Sequence, residues 1–173
     1  MARASTHEAR CRVCAGLHGN VVEIGFGTGL NARYDPPGVT KVWAIEPSQL
    51  CMRLAQPRIA RVPVPVEHAG SGGEQLAFAS GEFDVVLSTW TLCTIPDLGA
   101  ALGEMRRVLK PGGMLHFVEH GHVPDDSVAR WQRRLEPLNK RLAGRCHLTR
   151  RIPEHIRGAG FVIEQLSTYY IEG

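Results

Sequence analysis

Short apolar runs alternate with amphipathic stretches along the 173-residue chain. Residues 6–17 carry helical spacing and reach a stop at Gly19. The run 21–24 (VVEI) is a short strand followed at once by glycines, and a helix is expected to open near Thr28 and end before Pro36-Pro37-Gly38. KVWAI (41–45) is a second strand, and residues 48–55 form a helix with Ser48 as N-cap. VPVPVEH (62–68) reads as an edge strand, because its two prolines cannot donate to a ladder. FDVVLS (83–88) reads as a buried central strand. Leu98, Leu102, Met105 and Leu109 share one face of a helix over 98–109, which Pro111-Gly112-Gly113 stops. A strand over 114–119, helices over 127–142 and 152–158, and a strand over 161–170 complete the pattern. Six strands in βαβ succession predict an α/β fold, a Rossmann-like doubly wound and mainly parallel sheet with helices on both faces.

Two features carry chemistry. The first is Glu23-Ile24-Gly25-Phe26-Gly27-Thr28-Gly29, a glycine turn between strand and helix. Such a turn lets backbone approach a ligand closely. Its spacing is G-x-G-x-G, whereas a dinucleotide fingerprint needs G-x-G-x-x-G and Leu30 stands where that third glycine belongs. A carboxylate at Glu23 suits a cationic ligand group better than a pyrophosphate. The second is Glu46, at the end of strand two and 21 residues after Gly25, placed to bond ribose hydroxyls. Together they predict nucleoside binding at the strand C-termini and set a nicotinamide dehydrogenase aside.

The glycine turn, Glu46, the stretch Glu74-Gln75-Leu76-Ala77-Phe78 with Phe83-Asp84-Val85-Val86, and Val108-Leu109-Lys110-Pro111-Gly112-Gly113 resemble the ordered motifs of class I S-adenosylmethionine (SAM)-dependent methyltransferases. The resemblance covers roughly residues 20–120. It implies strand order 3-2-1-4-5-7-6, SAM as cofactor and S-adenosylhomocysteine (SAH) as product. It also implies cofactor contacts at Glu23, Gly25, Phe26, Gly27, Gly29, Glu46, Pro47, Gly73, Glu74, Thr89 and Trp90. Many members carry Asp where Gly72 stands, so here the adenine contact is left to backbone groups.

Thr91-Leu92-Cys93, Glu119-His120, Trp131-Gln132, Glu136-Pro137 and Cys146-His147-Leu148-Thr149-Arg150 resemble the alkyl-thiol methyltransferase-like group and its bacterial relatives. That implies a small-molecule methyl acceptor, a thiol among the candidates. His120, just beyond strand five, is the candidate general base, with Glu119 orienting it or touching substrate. Thr91, Cys93, Trp131, Cys146 and His147 are the candidate acceptor-side residues. Relatives named as phosphatidylethanolamine-type N-methyltransferases keep a phospholipid acceptor open. A non-catalytic SAM-binding protein is the reading from a different class.

Composition narrows this further. Hydrophobic content of 43%, charged content of 21% and net charge +3 describe an ordinary single domain, 1–173, and do not call for nucleic acid. The motifs of amino-methylating and cytosine-methylating nucleic-acid enzymes are missing: Ser88-Thr89-Trp90-Thr91 occupies the place after strand four. Without an apolar leader or a bilayer-length apolar run, the expected location is the cytoplasm. The five cysteines do not read as a disulfide framework, and Cys11-x-x-Cys14 lacks the second ligand pair of a structural metal site, so no metal is expected. Residues 127–157 hold nine Lys or Arg against two acids, which leaves room for a peripheral membrane contact. No segment remains for the seventh strand that the resemblance implies. The domain therefore reads as short at both ends, with a homodimer as one way to supply the strand.

Overall fold

The structure is a computed structural model and describes residues 2–119, 147 and 149–168, with residues 2–5 described by backbone alone. The expected helix over 127–142 and the candidates His120, Trp131 and Cys146 lie outside the described residues.

Helix α1 (Ala2–Cys14) leads into strand β1 (Gly19–Ile24). Strand β2 (Val39–Ile45), helix α2 (Gln49–Ile59) and strand β3 (Val66–Gly70) follow. Strand β4 (Phe83–Thr89), helix α3 (Leu98–Val108), strand β5 (Leu109–Val118) and helix α4 (Ile152–Gly158) complete the described elements. The sheet runs β3-β2-β1-β4-β5 with every pairing parallel. This is the order the resemblance implies for the first five strands.

Period-two alternation divides the core into two layers. Val22 and Ile24 of β1 and Val86 of β4 face α3 and α4, packing with Leu98, Leu102, Met105, Ile152 and Ile156. Val21 of β1 and Val85 and Leu87 of β4 face the other way, against Cys14, Met52 and Ala55 from α1 and α2. Side-chain caps open two of the helices. Ser48 Oγ accepts from Cys51 N at 3.2 Å, as its sequence position suggests, and Asp97 Oδ1 accepts from Ala100 N at 2.9 Å.

The structure corrects the expected elements at several places. Strand five begins at Leu109, directly after α3, so Pro111-Gly112-Gly113 lie within β5 and not ahead of it. The helix after the glycine turn is a single 3-10 turn, Ala32–Tyr34. Gly29 lies in the left-handed region (φ 73°), and Asp35 is extended (ψ 121°) because Pro36 follows it. Between them little chain is left to wind. The third strand is an edge strand, but it starts after the prolines, at Val66. The final strand over 161–170 is not formed where it is described: residues 161–168 have no strand pairing and Val162 is 88% exposed. The described sheet is therefore five-stranded, not six. The apolar and aromatic residues of that segment suit a strand, but strand propensity acts only where a partner edge is in register.

Candidate functional site

Strands β1, β2 and β4 end side by side, with Ile24 in register with Ile45 on one side and Ser88 on the other. All strands point one way, so their C-termini form a single rim, and ligands of open parallel sheets bind there. Gly25 N and Phe26 N both donate to Ile45 O, at 2.9 and 3.1 Å, which hooks the glycine turn onto the end of β2. Gly25, Gly27 and Gly29 all take positive φ. Phe26 turns inward, is 3% exposed and packs beneath Gly29 and Ala55. A Cβ placed on Gly27 would meet nothing nearer than 4.0 Å, so the turn presents bare backbone to open space there.

Glu46 stands beside that space. Its Oε2 accepts from Gly27 N at 2.8 Å and its Oε1 from Ser48 N at 2.9 Å, and it is almost fully buried. Each carboxylate oxygen keeps a further acceptor position. Pro47 is exposed next to it.

Gly73 is buried, with room for a Cβ only at 3.0 Å from Ile24 Cγ2. The Glu74 carboxylate folds back to within 3.5 Å of where a Cβ on Gly72 would stand. A neighbouring carboxylate thus reaches the place where the resemblance puts an Asp. The segment is fixed from α3. Glu104 Oε2 accepts from Leu76 N at 2.9 Å, while Arg107 donates to Leu76 O at 3.0 Å and Phe78 O at 2.8 Å. The Arg107 hydrogen bond holds the Glu104 carboxyl down at about 2.

A second network lies under α1. Asn31 Nδ2 donates to Glu23 Oε1 at 2.7 Å and to Thr89 Oγ1 at 3.0 Å. Arg10 of α1 donates through Nη1 to Asn31 Oδ1 and, at 3.4 Å, to Thr89 Oγ1, and its guanidinium lies 4.6 Å from the centre of the Trp90 ring. Glu23 is 1% exposed, and burial pushes its carboxyl up to about 8. Burial likewise pushes Asp35 up to about 7. Both groups hold their protons in the folded chain at pH values where an unfolded carboxylic acid has released them. Their contribution to stability is thus greatest below pH ~4 and is lost as pH rises towards ~8. Thermal melts are expected to show a Tm that falls between about pH 5 and about pH 8, and Glu23→Gln should flatten part of that slope. An equally steep slope in the variant would remove Glu23 from the account.

Beyond β4 the backbone makes a sharp bend. Trp90 has φ 54°, a value that a bulky residue rarely adopts, and its N donates to Val118 O at 2.7 Å. Glu119 sits inside the bend. Its Oε1 accepts from Thr91 N at 2.7 Å, Leu92 N at 2.8 Å and Ser88 Oγ at 3.3 Å, and its Oε2 from Cys93 N at 3.3 Å. Burial pushes this carboxyl above its ordinary range, and the three amides pull it back. Thr91 Oγ1 stands directly over Gly25. Cys93 is 1% exposed, and its carbonyl accepts from His147 N at 2.9 Å. Arg150, from the basic stretch, donates to Leu92 O at 2.8 Å and Ile95 O at 2.6 Å, which clamps the same loop.

Glu23, the glycines, Glu46, Gly73, Glu74, Thr89, Trp90 and Thr91 thus gather on one rim. Phe26 and Cys93 lie in the protein interior. Arg10 and Asn31 belong to this rim although no sequence motif marks them. The available signal is helical: Arg10 falls on the same face as the buried Cys14, an unusual place for a guanidinium.

A five-stranded parallel sheet of this order, with a glycine turn after its central strand and an acidic residue after the next, is the class I SAM-dependent methyltransferase fold. The chain belongs to the methyltransferase domain family, whose model matches residues 22–117. It is 39% identical over 152 residues to the thiol S-methyltransferase TMT1B of Rattus norvegicus, covering 84% of this chain and 61% of that protein. It is 32% identical over 108 residues to the ubiquinone/menaquinone biosynthesis C-methyltransferase UbiE of Cupriavidus metallidurans, covering 60% of this chain and 44% of that protein. Among solved structures, the YcgJ protein of Bacillus subtilis superposes with a TM-score of 0.71 at 20% identity, covering 89% of this chain and 68% of that one. The chain spans about three fifths of the length of the thiol S-methyltransferases it matches.

Proposed function

We propose that this chain binds SAM on the rim of β1, β2 and β4 and transfers its methyl group to a small-molecule acceptor, a thiol. The observation that carries the reading is the Glu46 carboxylate, held at 2.8 Å by the Gly27 amide beside a turn that leaves space for a ligand. The donor set fits a nucleoside: an anchored carboxylate for two ribose hydroxyls, bare backbone next to it, and the Gly73–Glu74 segment for a base. SAM supplies, when bound, an electrophilic methyl on a sulfonium that is already a good leaving group.

The protein's part is chiefly orientation. Glu46 holds the ribose. Gly25 and Gly27 let the backbone come close. Thr91 borders the turn at Gly25. A thiol needs only modest help to ionise, and His120 is the proposed base. Glu119 positions the loop bearing Thr91, its Oε1 accepting from Thr91 N and Leu92 N and its Oε2 from Cys93 N. The thiol as acceptor is supported by the relatives named thiol S-methyltransferase. No helix of the described residues is long and apolar enough to cross a membrane.

Titration calorimetry with SAM and SAH, followed by methyl transfer to alkyl thiols, amines and phenols, tests the reading. Binding with turnover on thiols is expected. Binding without turnover on any acceptor points to the non-catalytic alternative, and no binding at all sinks the proposal. Glu46→Ala is expected to weaken SAH binding about a hundredfold, because two hydroxyl bonds to a charged acceptor are lost together. An unchanged Kd would remove Glu46 from the ribose.

A further inference from the structure

Resting on that reading, we infer that Arg10 of α1 is the anchor for the α-carboxylate of the bound cofactor. Among the described residues this guanidinium has no ion-pair partner. Its Nη1 bonds two neutral groups, the Asn31 amide oxygen and the Thr89 hydroxyl, and its flat face rests on Trp90. Asn31 stands between Arg10 and Glu23, and burial favours the neutral form of that acid. Nε and Nη2 of Arg10 have no hydrogen-bond partner among the described residues. These two donors form one edge of the planar fork, the edge that a carboxylate takes in bidentate fashion.

The position of the fork selects the ligand group. Glu46 and Arg10 lie on opposite sides of the glycine turn, one bonded to Gly27 N and the other to Asn31, two residues past Gly29. A ligand with its ribose on Glu46 and its chain laid along the turn brings its far end towards Arg10. In SAM and SAH that end is an α-amino acid. The support beneath the fork is built at a cost. Trp90 is held at φ 54°, a strained conformation for so large a residue, and its ring forms the platform for the guanidinium. Helix α1 is fastened in turn, with its Val13 carbonyl 2.8 Å from His116 Nδ1 on β5. Arg10 and Trp90 line one open groove together with Leu30 and Glu119.

The test compares two ligands on two proteins. SAH carries the amino-acid tail, and methylthioadenosine carries the same nucleoside and sulfur without it. Arg10→Gln is expected to weaken SAH about ten- to a hundredfold, the worth of a charge-assisted pair, and to leave methylthioadenosine unchanged. Arg10→Lys should fall between. Equal loss for both ligands would assign Arg10 to holding α1 in place and overturn the inference. So would an intact SAH affinity, including one accompanied by a raised KM for an anionic acceptor. If the Gln variant does not fold, wild-type protein answers with decarboxylated SAH: binding as tight as SAH overturns the inference, and tenfold or weaker binding supports it. Wild-type protein that binds neither SAH nor methylthioadenosine refutes the proposed function itself, and Arg10's role falls with it.

Discussion

Glu119→Ala is expected to destabilise the fold by about 3–5 kcal/mol, more than the loss of a residue that merely touches substrate. The carboxylate accepts from three successive amides, and two of them, on Leu92 and Cys93, belong to residues 0% and 1% exposed. Removing the acceptor leaves buried N–H groups with no partner. Each such orphan costs about 1–3 kcal/mol, and a water drawn into the cavity recovers part of the sum. Glu119→Gln should be intermediate: its carbonyl still accepts, but its amide nitrogen is a donor facing donors. Urea denaturation measures the effect. A Gln variant as stable as wild type, with only the turnover rate reduced, would return Glu119 to acid–base chemistry and refute the structural assignment.

The same residue shows how far the sequence can be read. Glu119 stands out in sequence because it closes an apolar strand at the ligand rim. Its amide partners lie 26 to 28 positions earlier, and only the β4–β5 register brings them together. Linear motifs were legible because strand, turn and strand end are fixed by short spacing: the Gly25 turn and Glu46 meet through one hydrogen bond to Gly27. Phe26 belongs to that motif but not to the open rim. The left-handed turn at Gly25 breaks strand alternation and swings the next side chain into the core. Arg10 and Asn31 were hidden for the reason that hid Glu119's partners. A helix preceding the motif reaches it only through the tertiary fold, with Asn31 as the bridge. The strand expected over 161–170 has apolar and aromatic residues suited to a strand and no pairing through residue 168, so composition alone misleads there.

Gly25→Ala is expected to abolish detectable SAH binding, a loss above about a hundredfold, and to lower Tm as well. Two costs add. At φ 77° a Cβ carries about 1–2 kcal/mol of strain, and it would lie 2.1 Å from Thr91 Oγ1, 2.5 Å from its Cγ2 and 2.7 Å from its Cβ. Rotating the Thr91 side chain does not clear the contact, since its Cβ is itself too close and its backbone N is pinned to Glu119 at 2.7 Å. Either the glycine turn opens or the loop after β4 lifts, and both deform the ligand rim. Gly27→Ala separates strain from collision. Gly27 also has positive φ, 58°, but its Cβ would meet nothing nearer than 4.0 Å. Its folded state should lose only the 1–2 kcal/mol of strain, while the new methyl stands in the ligand's space and weakens binding. Adding Thr91→Gly to Gly25→Ala should restore much of the lost Tm and leave the φ strain behind. Thermal melts and calorimetry on the four proteins decide the matter. If Gly25→Ala keeps wild-type Tm and SAH affinity, the close approach of Thr91 to the turn is not what shapes this site.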